Sequence, residues 1–229
     1  MKVRLLGTRG HIEPTAPGHD LHSGVLIDDV LFDLGERTYL DLRPSAAFIT
    51  HLHEDHAFFV NDDAVEFAMP VYAPQDWNGR GLRVMRGPVE VNGMTITPIP
   101  TVHSATLRSS AYLVEKDLAR VLYTGDLISV QDRYRDRIPE VDVVITDGSF
   151  MRRGGLVRRD PVTGRPHGHT GIPDLVEFFS PLARKIIFTH FGSWFYKDIP
   201  SSTEKVRSLG QAIPVEVAED GLELEVGLA

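Results

Sequence analysis

The sequence contains no cysteine, so disulfide bonds and thiolate metal ligands are excluded. Any metal site must therefore be built from histidine and carboxylate side chains. The sequence also lacks an apolar run close to the roughly 20 residues that cross a bilayer. Its first residues are too short and too interrupted to resemble a secretory signal. We therefore expect a cytoplasmic protein with no membrane partner.

Basic charge is scarce as well. The formal net charge is −8, which argues against broad nucleic-acid binding, because that function normally needs a basic surface. One segment, residues 152–165, departs from this trend, with the arginines Arg152, Arg153, Arg158, Arg159 and Arg165 against the acid Asp160. Two interpretations stay open for this segment, a solvated loop or an anion-facing loop near an active site.

The 229 residues show no internal repeat, low-complexity tract or linker. We expect one domain over residues 1–229, long enough for a substantial core. Short strands alternate with turn signals, and Asn92–Gly93 predicts a hairpin. The apolar runs 141–145 and 185–188 predict strands covered on both faces. Residues 214–217 and 222–226, around Asp220–Gly221, predict a final hairpin.

Helices are fewer in this prediction. Residues 172–179 form one, with Thr170 as its expected N-cap, and residues 201–209 form another, capped by Ser201 or Ser202. A third helix is expected to begin within residues 55–60. Many strands with helices between and after them predict an α+β protein of layered sheets with helices outside.

The most informative segment is His51-Leu52-His53-Glu54-Asp55-His56, which follows an apolar strand. Core packing does not require three imidazoles and a carboxylate in so short a stretch, whereas a site for zinc or a similar ion does. Further ligand-type residues also follow apolar strands, and they are Asp33, His103, Asp126, Asp147 and His190. Because sites in layered α/β proteins gather at strand ends, we expect these groups to converge. Ordinary loop polarity is a sufficient alternative explanation for Asp33 and Asp147.

Taken together, these residues resemble the metallo-β-lactamase fold superfamily of hydrolases. The motif His-x-His-x-Asp-His is met by residues 51–56, and later motifs by Thr101–Ser104, Thr124–Asp126 and Phe188–Phe191. The resemblance implies a four-layer αβ/βα sandwich with two central mixed sheets. It also implies two divalent ions, zinc or manganese with iron as a third option. Their ligands would be His51, His53 and His103 for one ion, Asp55, His56 and His190 for the other, and Asp126 as the bridge. Asp33 would support the site without binding metal.

Within that superfamily the sequence is most similar to the branch of ribonuclease Z and the cyclic-phosphate phosphodiesterases. The segment Gly168-His169-Thr170 matches the place where that branch has the proton donor to the leaving group. The resemblance therefore implies this role for His169, with His167 as the alternative. Only one hairpin separates His103 from Asp126, where ribonuclease Z carries its arm for transfer RNA. Transfer RNA is therefore not an expected substrate.

The function expected from this resemblance is that of a dinuclear metal-dependent phosphodiesterase using a metal-bridging hydroxide. Its substrate would be a small molecule or short nucleotide, and the branch favours a homodimer. Catalytic candidates are His169 and Asp55, and candidate substrate contacts are Arg108, Ser109 and Trp194. A lactonase or other carbon-ester or amide hydrolase of the same fold is the first alternative. A non-catalytic metal-binding protein is the second.

Overall fold

A computed structural model describes residues 1–62 and 64–227, and two sheets dominate it. The first sheet contains β1, β2, β3, β4, β5, β6 and β17, running in the order β17-β1-β2-β3-β4-β5-β6. These strands span Lys2–Gly7, Gly24–Ile27, Val30–Phe32, Ala46–Phe48, Val71–Ala73, Arg83–Val84 and Glu223–Glu225. β2 and β3 form an antiparallel hairpin, and β3, β4, β5 and β6 are parallel neighbours.

The second sheet follows the order β11-β8-β9-β10-β12-β15-β16, with β7 paired to β8. Its strands, β7 to β12, β15 and β16, are Val89–Val91, Met94–Val102, Ser109–Lys116, Ala119–Tyr123, Ser129–Val130, Val143–Asp147, Ile186–Thr189 and Val215–Val217. The hairpin predicted at Asn92–Gly93 is present as β7 and β8, and β9 and β10 form another antiparallel hairpin. A separate ribbon, β13 and β14, pairs Leu156–Arg159 with Pro166–His169.

The main core lies between the two sheets. Val3, Phe32 and Phe48 from the first sheet are buried in one cluster with Tyr112 and Ile145 from the second. The predicted double coverage of β12 and β15 is confirmed, because all residues of both strands are buried. Burial of such large apolar side chains is the main source of stability for this architecture.

Helices cover the outer face of the second sheet. They are α1, α2 and α3, at Asp132–Arg135, Ile172–Phe179 and Ile199–Arg207. Phe179 of α2 and Val206 of α3 are buried in one apolar cluster with Phe188 of β15. The predicted caps were wrong: Gly171 precedes α2, and the Asp198 side chain accepts a hydrogen bond from Ser201 N at the start of α3.

Single turns of 3₁₀ helix accompany the first sheet, at Arg37–Leu42 and Phe58–Asn61. Tyr39 and Phe59 from these turns pack in a cluster on the outer face of that sheet. The helix expected within residues 55–60 is therefore replaced by a turn and the second 3₁₀ segment. The reason lies in distant contacts, since His190 and Asp33 hold Asp55 and His56 in place of a helical repeat.

The predicted final hairpin was wrong. β16 lies parallel to β15 in the second sheet, whereas β17 pairs with β1 in the first. Between them, Gly221 N donates to Leu5 O at 2.6 Å. The segment around Asp220–Gly221 therefore crosses from one sheet to the other, because each strand finds its apolar contacts in a different sheet.

Candidate metal centre

The metal-ligand candidates converge at one edge of the sandwich, as their strand-end positions predicted. β3 and β4 are parallel, and so are β10, β12 and β15. Their C-terminal ends therefore open towards the same cleft. The backbone turns sharply there, because Asp33, Gly125 and His190 have positive φ values of 61°, 56° and 55°. These turns bring the side chains of residues 33, 126 and 190 into the cleft.

A first group contains His51, His53, His103 and Asp126, whose candidate ligand atoms all lie within 4.8 Å of one another. His53 Nδ1 lies 2.9 Å from His51 Nε2 and 3.3 Å from His103 Nε2. Burial and the neighbouring imidazoles hold the pKa of His51 well below its ordinary value. Burial lowers the pKa of His103 to about 4. Both imidazoles therefore keep a free lone pair at neutral pH, as metal ligands must.

A second group contains Asp55, His56, His190 and again Asp126. His190 Nε2 lies 2.9 Å from Asp55 Oδ2, and His56 Nε2 lies 3.2 Å from Asp126 Oδ1. Burial opposes protonation of both imidazoles, but the surrounding carboxylates more than offset it. The pKa of His190 is raised to about 10, and that of His56 is raised well above its ordinary value. Positive charge at this position is therefore strongly favoured by the site.

The donor set fits divalent cations. Asp126 belongs to both groups, and its buried Oδ1 atom has no hydrogen bond of good geometry among the described residues, although His56 Nε2 and His190 Nδ1 each lie 3.2 Å away. An unpartnered buried carboxylate oxygen is costly unless a cation compensates it. Imidazole and carboxylate groups, with no thiolate, suit zinc and manganese. The arrangement can thus hold one ion in each group with Asp126 between them.

Outer hydrogen bonds orient these candidates. Asp33 is fully buried, and it accepts hydrogen bonds from Thr50 N, His56 Nδ1 and Tyr123 OH, each at 2.7 Å. His103 Nδ1 donates to Gly168 O at 2.9 Å. Such partners fix the tautomer of each imidazole and leave Nε2 to face the cation. The expectation that Asp33 supports the site without belonging to either ligand group agrees with this geometry.

His169 lies at the edge of the same cluster, on β14. Its Nδ1 donates to Asp147 Oδ2 at 2.7 Å and lies 3.9 Å from Asp126 Oδ2. Burial alone would lower the pKa of His169, but Asp147 and Asp126 together raise it. His169 also forms a third ligand-type group with Asp126, Asp147 and His190. His167 lines the same pocket without belonging to any of these groups.

Two further residues belong to the cluster. Asp147 was among the strand-end groups expected to converge, with loop polarity as the alternative explanation, whereas no sequence pattern indicated Ser149. Ser149 Oγ donates to Asp147 Oδ1 at 2.6 Å and lies 2.9 Å from His190 Nδ1. The signal for Asp147 was its position at the C-terminal end of β12, which is comparable to that of Asp126 shortly after β10.

The cluster opens into a pocket of about 440 Å³. Trp194 and Arg158 line this pocket, together with the loop Gly10–Ile12. Most of the arginine-rich segment is β13 and the turn that leads to β14. Arg153, which precedes β13, pairs with Asp174 and Glu177. Arg158 lines the pocket, a position compatible with the anion-facing interpretation, whereas Arg153 is exposed on the surface.

Arg108 and Ser109 do not line this pocket. They line a separate groove on the adjoining face. Ser109 is buried, and its hydroxyl oxygen accepts a hydrogen bond from Thr101 Oγ1 at 2.8 Å. Of the three predicted substrate contacts, the structure therefore places Trp194 beside the metal-ligand candidates and the other two elsewhere.

The family model for the β-lactamase superfamily domain matches residues 35–191, which include the complete set of metal-ligand candidates. The chain belongs to the β-lactamase superfamily. Comparison with curated proteins finds no match. No helix in the described part of this superfamily member has the length and apolar character that crossing a bilayer requires.

Solved structures share the fold over nearly the whole chain. The metallo-β-lactamase fold protein YhfI from Bacillus subtilis has a TM-score of 0.70 at 17% identity, covering 98% of this chain and 99% of that one. A diphosphatase from the PhnP family has a TM-score of 0.69 at 19% identity, covering 99% and 98%. The short form of human tRNase Z has a TM-score of 0.63 at 17% identity, covering all of both chains. These likenesses show the fold.

Proposed function

We propose that this superfamily member is a metal-dependent phosphodiesterase acting on a small-molecule or short nucleotide phosphodiester. The observation that carries the proposal is His169, held by Asp147 beside two cation-binding groups that share Asp126. A leaving alkoxide needs a proton, and in the phosphodiesterase reaction His169 would supply it, whereas in the carbon-ester or amide alternative the proton would come from another group or from water. An imidazole buttressed by a buried carboxylate suits that donor role.

Two divalent ions, zinc or manganese with iron as a third option, would supply Lewis acidity and lower the pKa of water between them. The protein's own groups would then hold the substrate and move its proton. Because Nδ1 of His169 is bonded to Asp147, the second proton of its imidazolium resides on Nε2. Asp147 favours this charged form, so His169 can deliver the Nε2 proton to the leaving oxygen near neutral pH. Asp55 would contribute to catalysis indirectly, by orienting His190 through the hydrogen bond between them.

The pocket supports a compact substrate. Its volume of about 440 Å³ is in the range of small-molecule sites. Arg158 offers a guanidinium for a phosphate oxygen, and Trp194 forms an apolar wall with its indole N–H donated to Gly148 O.

Partners and location belong to the same proposal. β9 and β10 fill the space in sequence between His103 and Asp126, so the described chain has no arm for transfer RNA there. We propose a cytoplasmic enzyme without a membrane or transfer-RNA partner. A homodimer is proposed from the resemblance to the ribonuclease Z branch.

The test is turnover of bis(p-nitrophenyl) phosphate and 2′,3′-cyclic nucleotides by protein loaded with Mn²⁺ or Zn²⁺. We expect His169→Ala to lower kcat by about 10²–10⁴-fold for these diesters, with both metal equivalents retained. His167→Ala, on the same strand, is the matched variant and should have a much smaller effect on kcat. Lactone hydrolysis that survives His169→Ala, without any diester turnover in wild type, would indicate the carbon-ester alternative. Bound metal without any hydrolysis would indicate the non-catalytic one.

A further inference from the structure

A second cavity of about 850 Å³ lies beside the metal centre. Its floor is apolar and is formed by β8 and β9, with Ile99 and Leu113 among the residues at the bottom. Its rim includes Ser104 and Pro166, the sequence neighbours of His103 and His167 in the metal pocket. The two cavities are thus adjoining, with separate linings, and nothing in the proposed hydrolysis uses the larger one.

Arginine dominates the rim of this cavity. Four separate segments of the chain contribute the guanidinium groups of Arg86, Arg108, Arg133, Arg137 and Arg165. No aspartate or glutamate belongs to the lining among the residues that the structure describes. We name this cavity the arginine groove. The chain has a formal net charge of −8, so a cavity with five positive side chains and no acidic one in its described lining differs strongly from the chain's average charge.

The arginines of the groove also lack carboxylate partners. None of the five forms an ion pair within residues 1–62 and 64–227, whereas Arg120, Arg153 and Arg184 elsewhere on the surface do. Unpaired guanidinium groups that converge on one cavity repel one another. An anionic ligand would remove that repulsion and form charge-assisted hydrogen bonds.

Tyr134 positions two of these groups. The guanidinium carbons of Arg133 and Arg137 lie 4.8 Å and 5.0 Å from the centre of its ring. Cation–π contacts of this kind restrain long side chains, so less conformational freedom is lost when a ligand binds. Planar guanidinium forks bind phosphate oxygens in pairs, with better geometry than lysine offers.

We propose that the arginine groove binds an oligophosphate chain, either free or carried by a nucleoside. A single phosphate needs only one or two guanidinium forks, and five around one cavity match an anion with several adjacent charges. A long nucleic acid fits less well, because the chain as a whole carries a formal net charge of −8 rather than an extended basic surface. A compact chain experiences mainly the local arginines, since screening weakens interactions beyond about 8–10 Å.

The experiment is calorimetric titration of the full chain with inorganic tripolyphosphate, adenosine triphosphate and adenosine. Each titration is performed on metal-loaded and on chelator-treated protein, with circular dichroism to verify the fold. We expect tripolyphosphate and adenosine triphosphate to bind both forms with affinity that falls as salt rises, and adenosine not to bind. Comparison of the two phosphate ligands shows whether a nucleoside adds affinity.

The variant Arg133→Gln/Arg137→Gln should weaken tripolyphosphate binding by about tenfold or more. The matched control is Arg207→Gln, an exposed arginine on α3 outside the groove. Equal binding by the double variant and the control would overturn the proposal. Binding that disappears on chelation would also overturn it, because the anion would then occupy the metal centre. The inference does not depend on the proposed hydrolysis, since binding is measured without turnover.

Discussion

Replacing Asp33 by asparagine changes one atom and tests how the site selects the tautomer of His56. Asp33 Oδ2 accepts from His56 Nδ1 and Tyr123 OH, and Oδ1 accepts from Thr50 N. An asparagine amide has one acceptor and one donor group. In either orientation its NH₂ faces an N–H, either that of the Thr50 backbone or that of His56 Nδ1.

Only one of those conflicts can be relieved. The Thr50 backbone N–H is fixed, whereas His56 can move its proton from Nδ1 to Nε2. Nε2 is the atom that faces Asp126 at 3.2 Å, so the relieved state blocks the nitrogen that would bind the cation. Loss of such outer partners typically costs about 10–100-fold in metal affinity, or about 1.4–2.7 kcal/mol. Replacing a charged acceptor by a neutral one should also lower the free energy of unfolding by about 1–3 kcal/mol.

The assay is competition for zinc with a chromophoric chelator, which resolves two binding equivalents. In Asp33→Asn we expect one equivalent, that of the group containing His56, to weaken about 10–100-fold, while the other is much less affected. Asp28→Asn is the control, because Asp28 is a partly exposed turn residue with a positive φ of 50° outside the site. If both zinc equivalents bind Asp33→Asn as tightly as Asp28→Asn, the argument from the tautomer is refuted.

Two further predictions concern protons and backbone space. In metal-free protein, the pKa of His190 is raised from 6.5 to about 10, so its contribution to stability is complete below pH 6.5 and lost as pH rises towards 10. The melting temperature of metal-free protein should therefore fall as pH rises through that window. A melting temperature that does not change with pH there would contradict the raised pKa of His190. In Gly168→Ala, with φ at 115°, the new Cβ would lie 2.0 Å from Leu156 O. We expect weaker metal binding through His103, measured against Gly164→Ala, which has no atom within 4 Å of its Cβ; equal affinities would refute this.

The metal-ligand candidates could be predicted from the sequence because two separate patterns indicate them. Residues 51–56 form a dense motif, and His103, Asp126 and His190 each follow an apolar strand. Strand ends converge when strands are parallel, so the clustering followed from elementary sheet geometry. Asp147 also lies at the end of an apolar strand, but aspartate is common at such positions. Only the structure shows that Asp147 is hydrogen-bonded to His169.

The errors arose where distant contacts decide local structure. The turn at Asp220–Gly221 is a good hairpin signal, yet β17 pairs with β1 because Leu222 and Leu224 find apolar contacts between the sheets. The cap of α3 is the exception, because Asp198 lies only three residues before Ser201 and its carboxylate accepts directly from Ser201 N. Arg108 lines the arginine groove rather than the metal pocket. Its closeness to His103 in sequence does not reveal which of the two cavities it lines.

The pairing of β1 with β17 also has a consequence for how the protein is made. β1 leaves the ribosome well before β17, so one of its edges stays open until Glu223–Glu225 has been synthesised. Such non-local pairing delays folding and leaves strand edges exposed during translation. The nascent chain therefore has to remain unaggregated while all the intervening residues are made, before the first sheet is complete.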